Sequence, residues 1–267
     1  MQVKGIDLIY FSPTGTSKKI AEAVAEGIGM KTLHVDLTPP SASTMERDIG
    51  EDRLAVIAVP VYGGRVPQTA AVRLSNIKGR GTPAVLIVVY GNREFEDSLL
   101  ELHDITTENG FNTISAAAFV AEHSYSTAKT PIATGRPDAL DLEKAQAFGT
   151  RVAERLGSSA PEEPKIPGNR PYTERFRATP DPKPPPISPE TLVDTCTLCG
   201  VCATSCPTGT ITVSDQVSTV KEKCIRCSAC VKSCPTGARV WEAERIKNAA
   251  TWLCTNFKDR KEPQTFF

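Results

Sequence analysis

The sequence predicts an open α/β sheet of five parallel strands with helices on both faces, followed by a small α+β unit organised around cysteine. Three observations carry that reading. Strand and helix signals alternate through residues 1–157, the pattern of a parallel sheet whose crossovers are helices. Eight of the nine cysteines crowd into residues 191–240. Between the two regions, ten of the residues in 158–189 are proline, and few apolar side chains remain there to build a core. The expected organisation is therefore an α/β domain over 1–157, a linker over 158–190, a cysteine-rich domain over 191–240 and a C-terminal helix and tail over 241–267.

Apolar runs at 5–11, 31–37, 54–59, 84–89 and 113–120 read as five buried strands. Ile20, Val24 and Ile28 mark one helical stripe between them, Phe95, Leu99 and Leu102 a second, and Ala145, Phe148, Val152 and Leu156 a last. Where the first strand ends, the chain reads Phe11-Ser12-Pro13-Thr14-Gly15-Thr16-Ser17. Hydroxyls, a glycine and the free amides of the following helix make a phosphate cradle, and the helix dipole adds favourable potential. A helix cap is the plainer reading of the same serines and threonines. Neither a Walker loop nor a G-x-G-x-x-G dinucleotide turn is present. Two further loops follow central strands: Pro60-Val61-Tyr62-Gly63-Gly64-Arg65-Val66-Pro67 and Tyr90-Gly91-Asn92-Arg93-Glu94-Phe95-Glu96-Asp97. Both stand at carboxyl ends of strands, where open α/β sheets bind ligands. An excursion over 121–137 carries Glu122-His123-Ser124-Tyr125-Ser126 and suits a lid or interdomain contact. His123 reads either as a proton donor to a bound group or as a loop histidine satisfied locally.

The linker favours extended geometry and buries too little to fold alone. It reads as a disordered tether or as a strap lying on both domains, with Tyr172, Phe176 and Ile187 as the strap's anchors. Beyond it, Cys196, Cys199, Cys202 and Cys206-Pro207 repeat as Cys224, Cys227, Cys230 and Cys234-Pro235. Two copies of C-x2-C-x2-C-x3-C-P are a ligand pattern for two [4Fe–4S] clusters. A disulfide scaffold would normally follow a secretory signal, and zinc often recruits histidine, of which none lies near these cysteines. After the second motif, 241–253 reads as a helix; Cys254 falls outside both motifs as a partly buried thiol. Two terminal phenylalanines point to a tail that docks on the first domain. Basic and acidic residues balance at 31 each, which gives no footprint for nucleic acid. No apolar run is long enough to span a bilayer, so a soluble, cytoplasmic chain is expected, as a monomer or small homo-oligomer.

The cysteine segment resembles a bacterial two-cluster ferredoxin. The phosphate-type loop is similar to that of flavodoxins, with Ser12, Thr14, Gly15, Thr16 and Ser17 at matching positions, and five strands is the flavodoxin-like count. Domain order resembles the flavodoxin–ferredoxin fusion proteins of anaerobes. The resemblance implies one cluster on Cys196, Cys199, Cys202 and Cys234, another on Cys224, Cys227, Cys230 and Cys206, and FMN on the α/β domain. It further implies that Tyr62 or Tyr90 stacks on the flavin ring, that Gly63, Gly64, Gly91 and Asn92 supply hydrogen bonds, and that Pro60, Val61, Arg93, Phe95 and Asp97 complete the flanking loops. Arg65 and Arg93 are expected to place positive charge near the ring and raise its potential. The implied function is electron transfer between FMN, the clusters and external redox proteins. The alternative is an FMN-dependent reductase of a quinone or nitro compound, which requires an open pocket beside Tyr62, Tyr90 and His123.

Overall fold

The computed structural model describes residues 3–157, 162–173 and 184–267. The α/β region runs β1 (Ile6–Tyr10), α1 (Thr16–Ile28), β2 (Thr32–Asp36), β3 (Arg47–Ile49), β4 (Leu54–Pro60), α2 (Gln68–Leu74), β5 (Ile77–Gly79), β6 (Thr82–Tyr90), α3 (Ser98–Glu108), β7 (Phe111–Val120) and α4 (Ala139–Leu156). Its central strands lie in the order β2-β1-β4-β6-β7, and every neighbouring pair among them is parallel. Counting only these five, the order is 2-1-3-4-5, the flavodoxin-like winding, in which the chain reverses direction beside β1. Alternation along the strands sends Leu8, Val56, Ile87 and Phe119 to the α1–α4 face. Ile9, Ile57, Val88 and Val120 go to the α2–α3 face.

Two expectations need correction here. β2 is not buried on both faces: it is the sheet's edge, and Leu33 is 44% exposed. A seven-residue helix, α2, and the short parallel pair β3–β5 have no counterpart in the sequence reading, because elements this short show no periodicity.

The C-terminal region adds β8 (Glu190–Thr191), α5 (Val201–Thr204), β9 (Ile211–Val213), β10 (Val217–Thr219), α6 (Ala229–Lys232), β11 (Arg239–Val240), α7 (Glu244–Asn256) and β12 (Gln264–Phe266). β9 and β10 form one antiparallel pair, β8 and β11 another. α5 and α6 lie over a small core of Cys202, Cys206, Ile211 and Cys230. The tail docks as expected: β12 adds antiparallel to β7, opposing Gln264, Thr265 and Phe266 to Ala118, Ala117 and Ala116. The two-residue period of a strand then puts Phe266 on one sheet face and Phe267 on the other. Phe267 packs 5.4 Å from Phe148, with the Arg151 guanidinium 3.8 Å above its ring.

Residues 162–173 lie on α3 as a strap. Asp97 accepts from the Asn169 amide at 2.8 Å and the Thr173 amide at 2.6 Å. Asp104 accepts from Arg170 and from the Tyr172 hydroxyl, and Arg65 stacks 4.3 Å from the Tyr172 ring. Ile166 contributes an apolar contact that the sequence reading missed. Ile187 is half-buried, and Phe176 lies outside the described residues.

Candidate functional site

The β1–α1 turn stands at the carboxyl end of β1, where the winding reverses. Gly15 turns the chain into α1 with φ +82°, in the left-handed region where a side chain would be strained. Lys18 donates its amide to Ser12 Oγ at 3.0 Å. The amides of Thr16 and Ser17, in the first turn, have no acceptor within the helix. Ser17 Oγ is buried and has no partner among the described residues. Leaving a buried hydroxyl unpaired costs about 1–3 kcal/mol, so the loop fits a bound phosphate, which would accept from Ser17 and from both amides. Thr14 is half-buried beside them.

The loop after β4 turns at Tyr62-Gly63-Gly64-Arg65, closed by backbone bonds of 2.9 and 3.3 Å between Tyr62 and Arg65. Val61 packs into the α2–α3 core. Arg65 is buried in a two-pronged pair with Glu101, 2.8 Å on each prong. Arg93 pairs with Glu96 at 2.7 Å. The positive charge of each arginine is therefore matched by a carboxylate.

Several ring-side candidates have other engagements. Tyr90 is 3% exposed and packs 5.6 Å from Phe95 in the α2–α3 core, so neither presents a stacking face. Asn92 donates to the carbonyls of Phe257 and Asp259 at 2.8 and 2.9 Å and thereby holds the tail. Asp97 holds the strap. Gly91 is needed for packing: a Cβ there would stand 2.3 Å from His123 Cδ2. Gly64 is likewise taken up by packing, since a Cβ there would run into the Glu96 carboxylate; of the ring-side residues expected from sequence, Tyr62 is half-buried and Gly63 is exposed in the turn after β4.

His123 is satisfied locally. Its Nδ1 accepts from the Tyr125 amide at 3.0 Å, and burial, with Arg93 and Lys232 nearby, lowers its pKa to about 4. It is neutral near pH 7. The 121–137 loop forms an interdomain contact instead of an open lid: Lys232 reaches Glu122 at 2.6 Å and the Ser126 carbonyl at 2.8 Å. Tyr125 meets Trp241 edge-on at 5.8 Å.

The cysteines assemble in the crossed arrangement. Cys196, Cys199, Cys202 and Cys234 line one cavity, and Cys206, Cys224, Cys227 and Cys230 line another. Each copy of the motif turns through two left-handed residues at equivalent positions, Leu198 and Gly200 in the first and Arg226 and Ser228 in the second. Left-handed non-glycine residues are uncommon and persist where the surroundings require them; here they curl three cysteines around one space. Among the described residues no three Cys, His, Asp or Glu side chains converge tightly enough for a single metal ion. Four thiols spread around a cavity fit a multinuclear cluster. Burial works against the Cys206 thiolate, but hydroxyls of Thr208 and Thr210, 3.5 and 3.4 Å from its sulfur, pull the thiol's pKa down. Burial pushes the thiols of Cys202, Cys224 and Cys230 up, and the charge of Arg239 opposes the rise in all three.

The two cavities differ in surroundings. Around the first, Cys199 and Leu198 are exposed, and nearby Val193 is 81% exposed. The second faces the α/β region. Ile225, between two of its cysteines, packs into the α2–α3 core, and Arg73 donates to the Pro207 carbonyl at 2.7 Å. Tyr62 lies within electrostatic reach of Cys224, Cys227 and Tyr125, and burial pushes its hydroxyl well above the ordinary pKa. Cys254 is half-buried beside Ile132, Ala250 and Leu253, away from both cavities.

Residues 189–235 match the family model of a 4Fe-4S dicluster domain. Solved structures similar to this chain include flavodoxin 2 from Bacillus cereus, at 15% identity and a TM-score of 0.42, covering 56% of this chain and 98% of that one. A flavodoxin from the domain Archaea is similar at 12% identity and a TM-score of 0.38, covering 57% of this chain and 99% of that one. Rubredoxin oxygen:oxidoreductase from Desulfovibrio gigas is similar at 15% identity and a TM-score of 0.38, covering 58% of this chain and 37% of that one. No curated protein sequence matches. The strand order and register establish the α/β fold, and the chain joins that flavodoxin-like unit to a ferredoxin-like iron–sulfur segment. No helix among the described residues is long and apolar enough to cross a membrane.

Proposed function

We propose that this chain is an electron-transfer protein that relays electrons between an FMN on the α/β unit, two [4Fe–4S] clusters and external redox proteins. The observation that carries the reading is the seat of the second cysteine set: the Cys224–Cys227 turn packs on the α/β core through Ile225 and lies in reach of Tyr62, in a loop at the carboxyl edge of the sheet. A flavin exchanges two electrons where each cluster exchanges one, so the pair converts two-electron into one-electron transfer.

The residues have distinct parts in this. Ser17 Oγ and the amides of Thr16 and Ser17 bind the phosphate, and Gly15 gives the backbone its turn. Tyr62 stays protonated near pH 7 and stands within electrostatic reach of Cys224 and Cys227. Cys199, with Leu198 and Val193 around it, faces solvent, which suits the first cluster to external partners. The burial of Tyr90 and the neutral, backbone-bonded His123 support the relay over reduction of a quinone or nitro compound.

Anaerobic reconstitution with iron, sulfide and FMN tests the cofactor set. The expected yield is eight irons and one FMN per chain, with Ser17→Ala weakening FMN binding by roughly tenfold, the loss of about one hydrogen bond to a charged group. Four irons or fewer after full reconstitution, or no bound flavin, would remove the corresponding half of the proposal.

A further inference from the structure

We infer that Arg239 is a shared counter-cation for both four-cysteine sets and holds the reduction potentials of the two clusters up together. The inference rests on the iron–sulfur reading above and concerns a residue outside both ligand motifs.

Arg239 is 3% exposed. It lines the first cavity, with Cys196, Cys199, Cys202 and Cys234, while its Nη2 donates to Cys230 Sγ of the second set at 4.0 Å. Two hydroxyls fix the guanidinium in place: Thr191 accepts from Nη1 at 2.6 Å, and Thr219 accepts from Nη2 at 3.1 Å. The short β8–β11 pairing sets this position, since Thr191 is the register partner of Arg239. Nε is buried with no partner, and no carboxylate pairs with the side chain among the described residues.

A buried cation without a counter-ion is costly. The thiolate-ligated clusters are the anions that offset it, one on each side.

The internal duplication makes the point sharper. The two copies run Cys206-Pro207-Thr208-Gly209-Thr210-Ile211 and Cys234-Pro235-Thr236-Gly237-Ala238-Arg239. Arg239 thus stands where the first copy carries Ile211, a buried aliphatic residue of the small core. Packing alone is served by isoleucine in that place; the guanidinium adds charge. Each cluster gains one negative charge on reduction, so a fixed cation beside both stabilises both reduced forms.

The test compares the full chain with Arg239→Ile, which copies the first repeat, and with Arg239→Lys, which keeps the charge. Each protein is reconstituted anaerobically, assayed for iron and sulfide, and titrated with dithionite under EPR at controlled potential. Arg239→Ile is expected to hold its iron while the reduced-to-oxidised ratio of both clusters at a fixed potential falls roughly tenfold, about 59 mV for a one-electron couple. Arg239→Lys stays close to the parent. Loss of iron from Arg239→Ile with retention in Arg239→Lys also supports the charge assignment. Unchanged potentials in Arg239→Ile, a shift in one cluster alone, or loss of iron from both variants would overturn it. A parent chain that takes up no iron fails earlier, at the iron–sulfur reading itself.

Discussion

His123 shows how a residue that looks chemical in sequence becomes structural in the fold. Its ring lies on Gly91, and its Nδ1 takes the Tyr125 amide proton, an arrangement that needs the neutral imidazole. The pKa is about 4 when folded, against an ordinary 6.5. As pH falls below the ordinary value the unfolded chain binds the proton first, so folding stability drops from near pH 6.5 and levels off below about 4. The loss between pH 7.5 and 5 is roughly 2 kcal/mol. His123→Gln is expected to flatten that part of the curve of unfolding free energy against pH; parallel curves for the two proteins would refute the assignment. Tyr90 and Asn92 carry the same lesson. The position of their loop is legible in the sequence, because it follows a strand of nine buried residues. What each side chain touches depends on partners far away in sequence, and the Asn92 bonds reach 165 and 167 residues along the chain. No local pattern reports such a contact.

At the level of elements, legibility followed periodicity. The long strands and α1, α3 and α4 repeat their apolar residues often enough to be read, and the cysteine turns are read from spacing because their ligand geometry is local. α2, about two helical turns, and the three-residue strands β3 and β5 repeat their apolar positions too few times to be read. β12 is equally short and is not legible as a strand, but the two phenylalanines at the end of the tail mark it as a segment that docks. That strand closes the sheet edge at β7, and residues behind it tie down the loops: Arg136 donates to the Lys261 carbonyl at 2.9 Å, and Arg260 reaches Asp138 at 2.7 Å. Hydrogen bonding to Arg260, helped by the Asp141 amide, holds the Asp138 carboxyl far below the usual carboxylate range. Truncation before Lys258 removes both phenylalanines from half-buried seats, a loss of roughly 2–4 kcal/mol, and bares a row of backbone donors and acceptors on β7. The expected outcome is a lower midpoint of thermal unfolding, with aggregation at high concentration. An unchanged midpoint would show that the docked tail contributes nothing to stability.

Across the whole molecule, the Lys232–Glu122 contact, the Arg73 bond to the Pro207 carbonyl and the seat of Ile225 hold the cysteine-rich unit against the carboxyl edge of the sheet, and the tail pairs with β7. The arrangement leaves the first cysteine set open to solvent and turns the second toward Tyr62. The sequence carried the two sets and the loops, but the orientation between them comes from contacts such as Arg73 with the Pro207 carbonyl, separated by 134 residues. Because the units are fixed to one another, electron exchange between them is expected to occur within a single chain. The direct measurement is rapid anaerobic mixing of the reconstituted protein with less dithionite than its full electron capacity, following flavin and cluster absorbance over a range of protein concentrations. Redistribution between the two absorbances at a rate independent of concentration is the predicted result. A rate that rises in proportion to concentration, or no redistribution at all, would contradict an internal relay.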